Sequence, residues 1–224
     1  EEARGILTYV MTSGGRVSTQ QLGDLTSLGE TVDVAISELA QQGLVTDEAT
    51  GGECITIFHD RVADELIKTL PEEDVLLAHH AWAVLLIDQN DAERQSARVA
   101  GHLFAANEPI LAVPYAIAAA KDSERRLAMT EAGRWYAQVI AHVEDSEKIV
   151  FLRKASSCYA AATLPVEASL CYQELSTLVD SEEAIECRLM AMKFLLLCGR
   201  LGTIRDQLLE KLSQRFDAGR VPVV

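Results

Sequence analysis

The spacing of the apolar residues changes near residue 57, and this change limits the possible folds more than any other feature of the chain. Before it, the β-branched run Ile55-Thr56-Ile57 is typical of a strand. After it, Val62, Leu66 and Leu70 recur at helical spacing, and Pro71 can open another helix because the first helical position needs no backbone N–H. The sequence therefore predicts a small strand-containing unit over residues 1–70 and a helical region over residues 71–224.

Three short helices followed by a β-hairpin are predicted within residues 1–70. Ser18, with Gln21 three residues later, has the spacing of a capping box at the start of the second helix. The segments Leu44–Thr46 and Ile55–Ile57 flank a Gly-Gly turn, which predicts two paired strands. The residues expected to face the core from the helices are Ile6, Leu7, Val10, Leu22, Leu25, Val32, Ile36, Leu39 and Ala40. Three helices and a hairpin in this order are typical of a winged-helix unit.

The charge of this region argues against DNA binding, which a winged helix would otherwise suggest. Residues 1–70 contain twelve acidic and four basic residues, a net charge of −8. The third helix, which begins at about Glu30 and would enter the major groove, contains Glu30, Asp33 and Glu38 but no Lys or Arg. DNA binding needs several cations that neutralise phosphates on one face. A structural or protein-contacting role is therefore favoured.

The composition of the whole chain points to a helical protein of a reducing compartment. The formal net charge is −14 over 224 residues, which also disfavours an anionic membrane as partner. The five cysteines form no CxxC pair, so we interpret them as small buried residues of a cytoplasmic protein rather than as a disulfide or zinc framework. The chain begins at Glu1 without a Met, and we expect it to be a piece of a larger protein.

Residues 71–224 are predicted to form a mainly α, tetratricopeptide-like solenoid of paired helices. The predicted helices run over about Pro71–Leu86, Arg98–Ala106, Pro109–Ala128, Thr130–Val143, Glu147–Ala162, Val166–Val179, Glu183–Cys198 and Leu201–Phe216. Pro165 and Leu201 begin second helices 36 residues apart, close to the tetratricopeptide period of about 34. In the last two helices, the apolar faces are Ile185, Leu189, Met192 and Leu196, and Ile204, Leu208, Leu212 and Phe216.

Several segments resemble a known group of signalling proteins. They are Phe58–Val62, Leu70-Pro71, the spacing from His79 to Ala83, Ala100–Pro109 and Ala112–Ala116. Their order and spacing resemble the winged-helix and tetratricopeptide-like region of STAND-type signalling ATPases, over about residues 30–145. That group includes multidomain bacterial Ser/Thr kinases and large bacterial transcription activators. The resemblance implies that a P-loop ATPase domain precedes a region of this kind in the parent protein.

No catalytic, cofactor or metal site is predicted within the chain. It contains no GxxxxGK[ST] phosphate loop, so no nucleotide site can be transferred to it from the family. His79 and His80 are interpreted as one packed and one partly exposed imidazole; the less favoured alternative is metal ligation together with His102. Acidic clusters such as Glu72–Asp74 stand at helix starts, where the helix dipole favours them.

The function predicted from these observations is that of a non-catalytic regulatory or scaffold fragment of a larger signalling NTPase. It would contact protein, in its own parent chain or in another, through the helical-repeat surface. The predicted partner-binding cations are Arg153, Lys154, Arg188 and Lys193, which stand on the first helices of successive pairs. The alternative is a fragment of a transcription regulator that has a DNA-binding winged helix and a helical sensing array.

Overall fold

A computed structural model describes residues 2–26, 31–47, 54–57, 65–89, 94–199 and 202. These residues are mainly helical and include a small three-stranded antiparallel sheet. The chain forms two compact units, residues 1–118 and 119–224. This division differs from the boundary expected at residue 70, which stays a prediction. The Phe58–Val62 segment and nearly all of the predicted helix at 201–216 lie outside the described residues.

The first unit combines short helices with the sheet. Its elements in chain order are α1 (Glu2–Thr12), β1 (Val17–Ser18), α2 (Thr19–Thr26), α3 (Thr31–Gln41), β2 (Val45–Asp47), β3 (Cys54–Ile57), α4 (Glu72–Asp88) and α5 (Ser96–Ala105). The next helix, α6 (Pro109–Arg125), runs across the boundary between the units. Pro71 occupies the N-cap position of α4, and its carbonyl accepts from the backbone N–H of Asp74 and Val75. The helix start predicted at Pro71 is therefore confirmed.

The predicted pairing of two strands is confirmed, but the sheet contains a third strand. β2 and β3 are antiparallel, with Val45 opposite Ile57 and Asp47 opposite Ile55. β1 adds to the other edge of β3, with Val17 opposite Ile55. β1 was not predicted, because two residues are too few for an alternating pattern to be recognised.

The capping box predicted for α2 is present. The backbone N–H of Gln21 donates to Ser18 Oγ, and the backbone N–H of Ser18 donates to Gln21 Oε1, both at 3.1 Å. Each side chain thus satisfies a backbone donor at a helix start, where no carbonyl of the helix is available. This reciprocal pair fixes the point at which β1 ends and α2 begins.

The core of the first unit is formed around Trp82. Its side chain is fully buried together with Ile6, Val10, Val17 and Leu22, which come from α1, β1 and α2. The indole N–H donates to the carbonyl of Tyr9 at 3.0 Å, so the polar end of the ring is also satisfied. Trp82 lies on α4, the helix that was predicted to open the array, and α4 therefore shares a core with the N-terminal helices.

One core residue of α3 was predicted wrongly. Val32 and Leu39 are buried as expected, but Ala40 is exposed and Ala35 is buried in its place. Ala35 stands three residues after Val32 and four before Leu39, so these three residues share one face of the helix. Ala40 lies at the edge of that face, and its small side chain gives little signal of its own.

The second unit is a series of helices that pack on their sequence neighbours. It contains α7 (Met129–Ile140), α8 (Asp145–Ala161), α9 (Pro165–Leu178) and α10 (Ser181–Leu197). Gly133 on α7 lies directly against the Tyr159 ring of α8, where an added Cβ would stand 2.7 Å from Cε1. Tyr172 and Phe194 stack at 5.8 Å between α9 and α10. Small and aromatic residues therefore set how closely these helices approach.

Two helices of this unit end in the same backbone turn, 36 residues apart. Thr163 and Gly199 both have left-handed backbone conformations, with φ of 56° and 69°. The N–H of Thr163 donates to the carbonyl of Ala160, and the N–H of Gly199 donates to that of Leu196. The ends of α8 and α10 are thus 36 residues apart, whereas the offset predicted between the helix starts at Pro165 and Leu201 stays a prediction because Leu201 lies outside the described residues.

The predicted apolar face of α10 is not its packed face. Ile185, Leu189 and Leu196 are exposed by 56%, 61% and 53%. The residues of α10 that are buried are Ala184, Cys187, Ala191, Phe194 and Leu195. The prediction was wrong because α10 carries apolar residues nearly all round, so that periodicity alone could not identify the face that meets α9.

Replacing Trp82 by Ala should lower the free energy of unfolding by about 3–5 kcal/mol, since it removes a fully buried ring and its hydrogen bond. Chemical denaturation would measure the change. Leu77→Ala on the same helix is the matched control, because Leu77 is 62% exposed and its truncation should change the stability by less than about 1 kcal/mol. Equal effects of the two substitutions would contradict the core described above.

Thr163→Gly should raise the free energy of unfolding by about 0.5–1 kcal/mol. A left-handed conformation is unfavourable for a β-branched residue, and Gly adopts it freely, although its greater freedom in the unfolded chain offsets part of the gain. Glu174→Gly, at an exposed position inside α9, should have the opposite sign and lower the stability by about 1 kcal/mol. Thermal melts of the wild type and of the two variants would show whether the changes in stability have opposite signs.

Candidate interaction surface

Arg153, one of the four predicted partner-binding cations, already has a partner in the second unit. Its Nε and Nη2 atoms both donate to Oε1 of Glu183, at 3.0 and 2.6 Å. Arg153 lies on α8 and Glu183 in the first turn of α10, so this ion pair joins the two helices that are 36 residues apart. Its guanidinium is half exposed, and an incoming acidic group would have to compete with Glu183.

Lys154 is also engaged, in a partly buried polar network. Its ammonium lies 5.1 Å from the centre of the Tyr136 ring and 3.4 Å from the phenol oxygen. Tyr136 donates to Glu124 Oε2 at 2.8 Å, and the thiol of Cys158 lies 3.7 Å from Glu124 Oε1. Burial, and then the neighbouring Glu124, raise the pKa of Tyr136. The network therefore holds α6, α7 and α8 together within this unit.

The other two predicted cations lie on the exposed part of α10. Arg188 and Lys193 are both exposed, on either side of the apolar residues that the sequence analysis had assigned to the core. We call Ile185, Leu189, Met192 and Leu196 the α10 stripe. Met192 is half-buried and the other three are exposed. The structure thus brings Arg188 and Lys193 together with an apolar surface that was not predicted.

The surface of α3 is acidic. A shallow groove beside this helix is lined by Glu2 and Ala3 of α1 and by Thr31, Val34, Ala35 and Glu38 of α3. Val34 is 70% exposed, and the carboxylates of Glu2 and Glu38 are among the lining side chains. Acidic groups at a groove of this kind repel phosphate and favour a basic partner. Among the described residues, the groove beside α3 is therefore lined by two carboxylates and by no Lys or Arg.

His79 and His102 form a packed pair in the first unit. Their Nδ1 atoms are 3.0 Å apart, so the N–H of one ring donates a hydrogen bond to the nitrogen of the other. The His102 ring is stacked on Trp82 at 5.9 Å between centroids. Burial is the main cause that lowers the pKa of His102 to about 4, and His79 and Arg98 add to it. His80, which is exposed, faces the carboxylate of Glu108 at 2.9 Å.

Nucleophilic chemistry at Cys158 and Cys171 is disfavoured by their surroundings. Burial, and then nearby carboxylates, raise the pKa of the Cys158 and Cys171 thiols to about 11. A thiol with such a pKa is protonated at neutral pH and is a poor nucleophile. Within the described part of the chain, no three His, Cys, Asp or Glu side chains come together so that they could hold a metal ion.

Comparison with known protein families, with curated proteins and with solved structures finds no match to this chain. Among the helices that the structure describes, none combines the length and the apolar character needed to cross a bilayer. The surfaces of α3 and α10 are therefore the basis for a proposed function.

The stability of the first unit should fall as the pH decreases from about 6.5 towards 4. In this window the unfolded chain protonates its histidine, whereas His102 stays neutral in the fold, so the unfolded state binds more protons. From pH 7 to pH 5 the expected loss is about 2 kcal/mol. His102→Gln should remove this part of the pH dependence, as measured by urea denaturation at each pH. Equal slopes for the variant and the wild type would contradict the assignment to His102.

Proposed function

We propose that this chain is a non-catalytic regulatory or scaffold segment of a larger signalling NTPase. Its first unit would be a winged-helix module, and the helices beyond it a tetratricopeptide-like array. The array would bind protein, either the ATPase or effector domain of the same parent or a separate partner. The main support for this proposal is the left-handed turn that ends both α8 and α10, at Thr163 and Gly199. The exposed apolar and charged residues of α10 add to it.

The order of elements in the first unit supports the winged-helix assignment. Helix, strand, two helices and two further strands follow one another, and the short first strand pairs with the last. In this arrangement α3 would be the helix that enters DNA in a DNA-binding relative. Here α3 presents Asp33 and Glu38 instead of cations, which favours contact with protein.

The second unit supports the assignment of a helical repeat. Helices that pack mainly on their sequence neighbours form arrays in which each repeat contacts the next, and such arrays present extended surfaces to partners. The turns at Thr163 and Gly199 have the same φ region and the same hydrogen bond, and four of the six buried positions of α8 recur in α10 at the same 36-residue offset. Phe151, Ala155, Cys158 and Tyr159 thus correspond to Cys187, Ala191, Phe194 and Leu195.

The surroundings of the thiols support a place in the cytoplasm. All five cysteines are free, and Cys158, Cys171 and Cys187 are buried. Free buried thiols persist in a reducing compartment. We therefore assign the chain to the cytoplasm and give it no catalytic role of its own.

Binding of the purified chain to the ATPase and effector domains of its parent would test the proposal. Calorimetric titration at low and at physiological salt should show micromolar affinity for at least one of these domains, and the binding should weaken as salt screens the acidic surface. Failure to bind either domain at both salt concentrations would exclude the regulatory contact within the parent.

An electrophoretic shift assay at low salt distinguishes the proposal from DNA binding. The chain should not change the electrophoretic mobility of duplex DNA, because α3, the helix that would contact the bases, contains no Lys or Arg. A mobility shift of the DNA that is lost when Arg16 and Arg61 are replaced by Ala would show that the chain binds DNA. That result would favour the transcription regulator over the proposed function.

A further inference from the structure

A groove between α1 and α4 lies within the first unit and has a volume of about 320 Å³. We call it the α1–α4 groove. Pockets that bind small molecules have volumes from about 300 Å³ upwards. Among the described residues, those that line the groove include Arg4, Gly5 and Tyr9 of α1 and Asp74, Leu77 and Ala78 of α4. Its volume suits a small molecule rather than a helix of another protein.

Gly5 leaves part of the α1 side of the groove without a side chain. A Cβ added at this position would meet no atom within 4 Å, so the packing of α1 does not require a glycine here. Glycine is also less favourable than alanine inside a helix. A position without a Cβ allows a ligand to approach the backbone closely. A ligand in the α1–α4 groove can therefore lie directly against α1 at Gly5.

Three polar groups that line the groove have no partner among the described residues. Arg4 and Asp74 are both exposed, and they form no ion pair with each other or with another described residue. The Tyr9 ring is half-buried, and its phenol oxygen makes no hydrogen bond within the same part of the chain. Burial raises the pKa of Tyr9, so the phenol remains a donor at neutral pH. All three groups are thus available to a ligand.

The signs of the two charges indicate a ligand that carries both. A guanidinium binds a carboxylate through two parallel hydrogen bonds, and the carboxylate of Asp74 can accept from an ammonium. Glu72 and Glu73 are exposed beside Asp74 in the first turn of α4. These carboxylates would repel a simple anion, and Arg4 would repel a simple cation. A zwitterion is therefore the complementary ligand, with its ammonium towards the acidic start of α4.

The remaining lining of the groove is apolar. Leu77 is 62% exposed, and the small Ala78 follows it on α4. An aliphatic or aromatic group of the ligand would remove part of the Leu77 side chain from water, which is favourable. A carboxylate, an ammonium and an apolar group that are joined through one carbon atom are the parts of an apolar α-amino acid.

We propose that the α1–α4 groove binds an α-amino acid with an apolar side chain. Arg4 and the phenol of Tyr9 hold its carboxylate, and Asp74 accepts from its ammonium. Its side chain lies against Leu77 and over Gly5. This inference goes beyond the proposed protein contact, because it gives the first unit a small-molecule site that does not depend on which protein the chain binds.

Titration of the full chain, observed by NMR of its backbone amides, tests for binding. L-Leucine or L-phenylalanine should cause saturable shifts at Gly5 and Ala78, with a Kd of about 0.1–1 mM for a ligand of this size. Leucinamide lacks the carboxylate and 4-methylpentanoic acid lacks the ammonium, so each should bind about tenfold more weakly than leucine. The proposal is overturned if neither amino acid shifts these amides at about 20 mM, or if both analogues bind as well as leucine.

Filling the groove tests its position. Gly5→Leu should weaken the binding of leucine by more than about tenfold, because the new side chain occupies the space of the ligand. Gly23→Leu on α2 is the matched control, since a Cβ at this helical glycine also meets no atom within 4 Å and Gly23 does not line the groove. Circular dichroism should show that both variants remain folded. Equal affinities of the two variants for leucine would place the ligand elsewhere and overturn the site.

Charge removal tests the contacts and does not depend on Gly5. Arg4→Gln and Asp74→Asn should each weaken the binding of leucine by about tenfold, whereas Glu73→Gln should change it by less than about twofold. Arg4→Gln should leave the affinity for leucinamide unchanged within about twofold, because that ligand has no carboxylate to lose. Wild-type affinity for leucine in both Arg4→Gln and Asp74→Asn contradicts the proposal.

Discussion

The burial of Trp82 is the interaction on which the first unit depends. The ring packs with residues of α1 and α2, and its N–H donates to the carbonyl of Tyr9 in α1, 73 residues earlier in the chain. A large apolar surface is thereby removed from water without an unsatisfied polar atom. His102 stacks on the same ring and contacts His79, so α5 is held to α4 through one aromatic cluster. Because this cluster excludes water, a charge on His102 is unfavourable, and stability and protonation are linked at this position.

In the second unit, close contacts between helix backbones and aromatic rings determine how the helices pack. Gly133 allows the Tyr159 ring to lie against α7, and the left-handed turns at Thr163 and Gly199 end α8 and α10 abruptly. Regular turns of this kind give a series of helices its constant offset, here 36 residues. The offset also relates burial, because four of the six buried residues of α8 have buried equivalents on α10.

Local features of the fold could be predicted from the sequence, and the choice between packing faces could not. The capping box of Ser18 and Gln21, the helix start at Pro71 and the pairing of β2 with β3 depend on residues that are close together, whose chemistry specifies the outcome. β1 was missed because it exists only through pairing with Ile55 and its neighbour, which are remote in sequence. The packed face of α10 was predicted wrongly because this helix has two apolar faces, and periodicity does not show which of them is buried. Arg153 and Lys154 were correctly placed on α8, but their partners depend on packing across helices.

The exposed surfaces of the two units differ in charge and in polarity. The groove beside α3 has two carboxylates and an exposed valine among its lining side chains. On α10, the exposed Ile185, Leu189 and Leu196 lie between Arg188 and Lys193, so that an apolar surface stands beside cations. A charged surface acts over a longer range than an apolar one, which contributes only where another surface fits closely against it. Long-range attraction is therefore a property of the α3 surface, and short-range contact a property of α10.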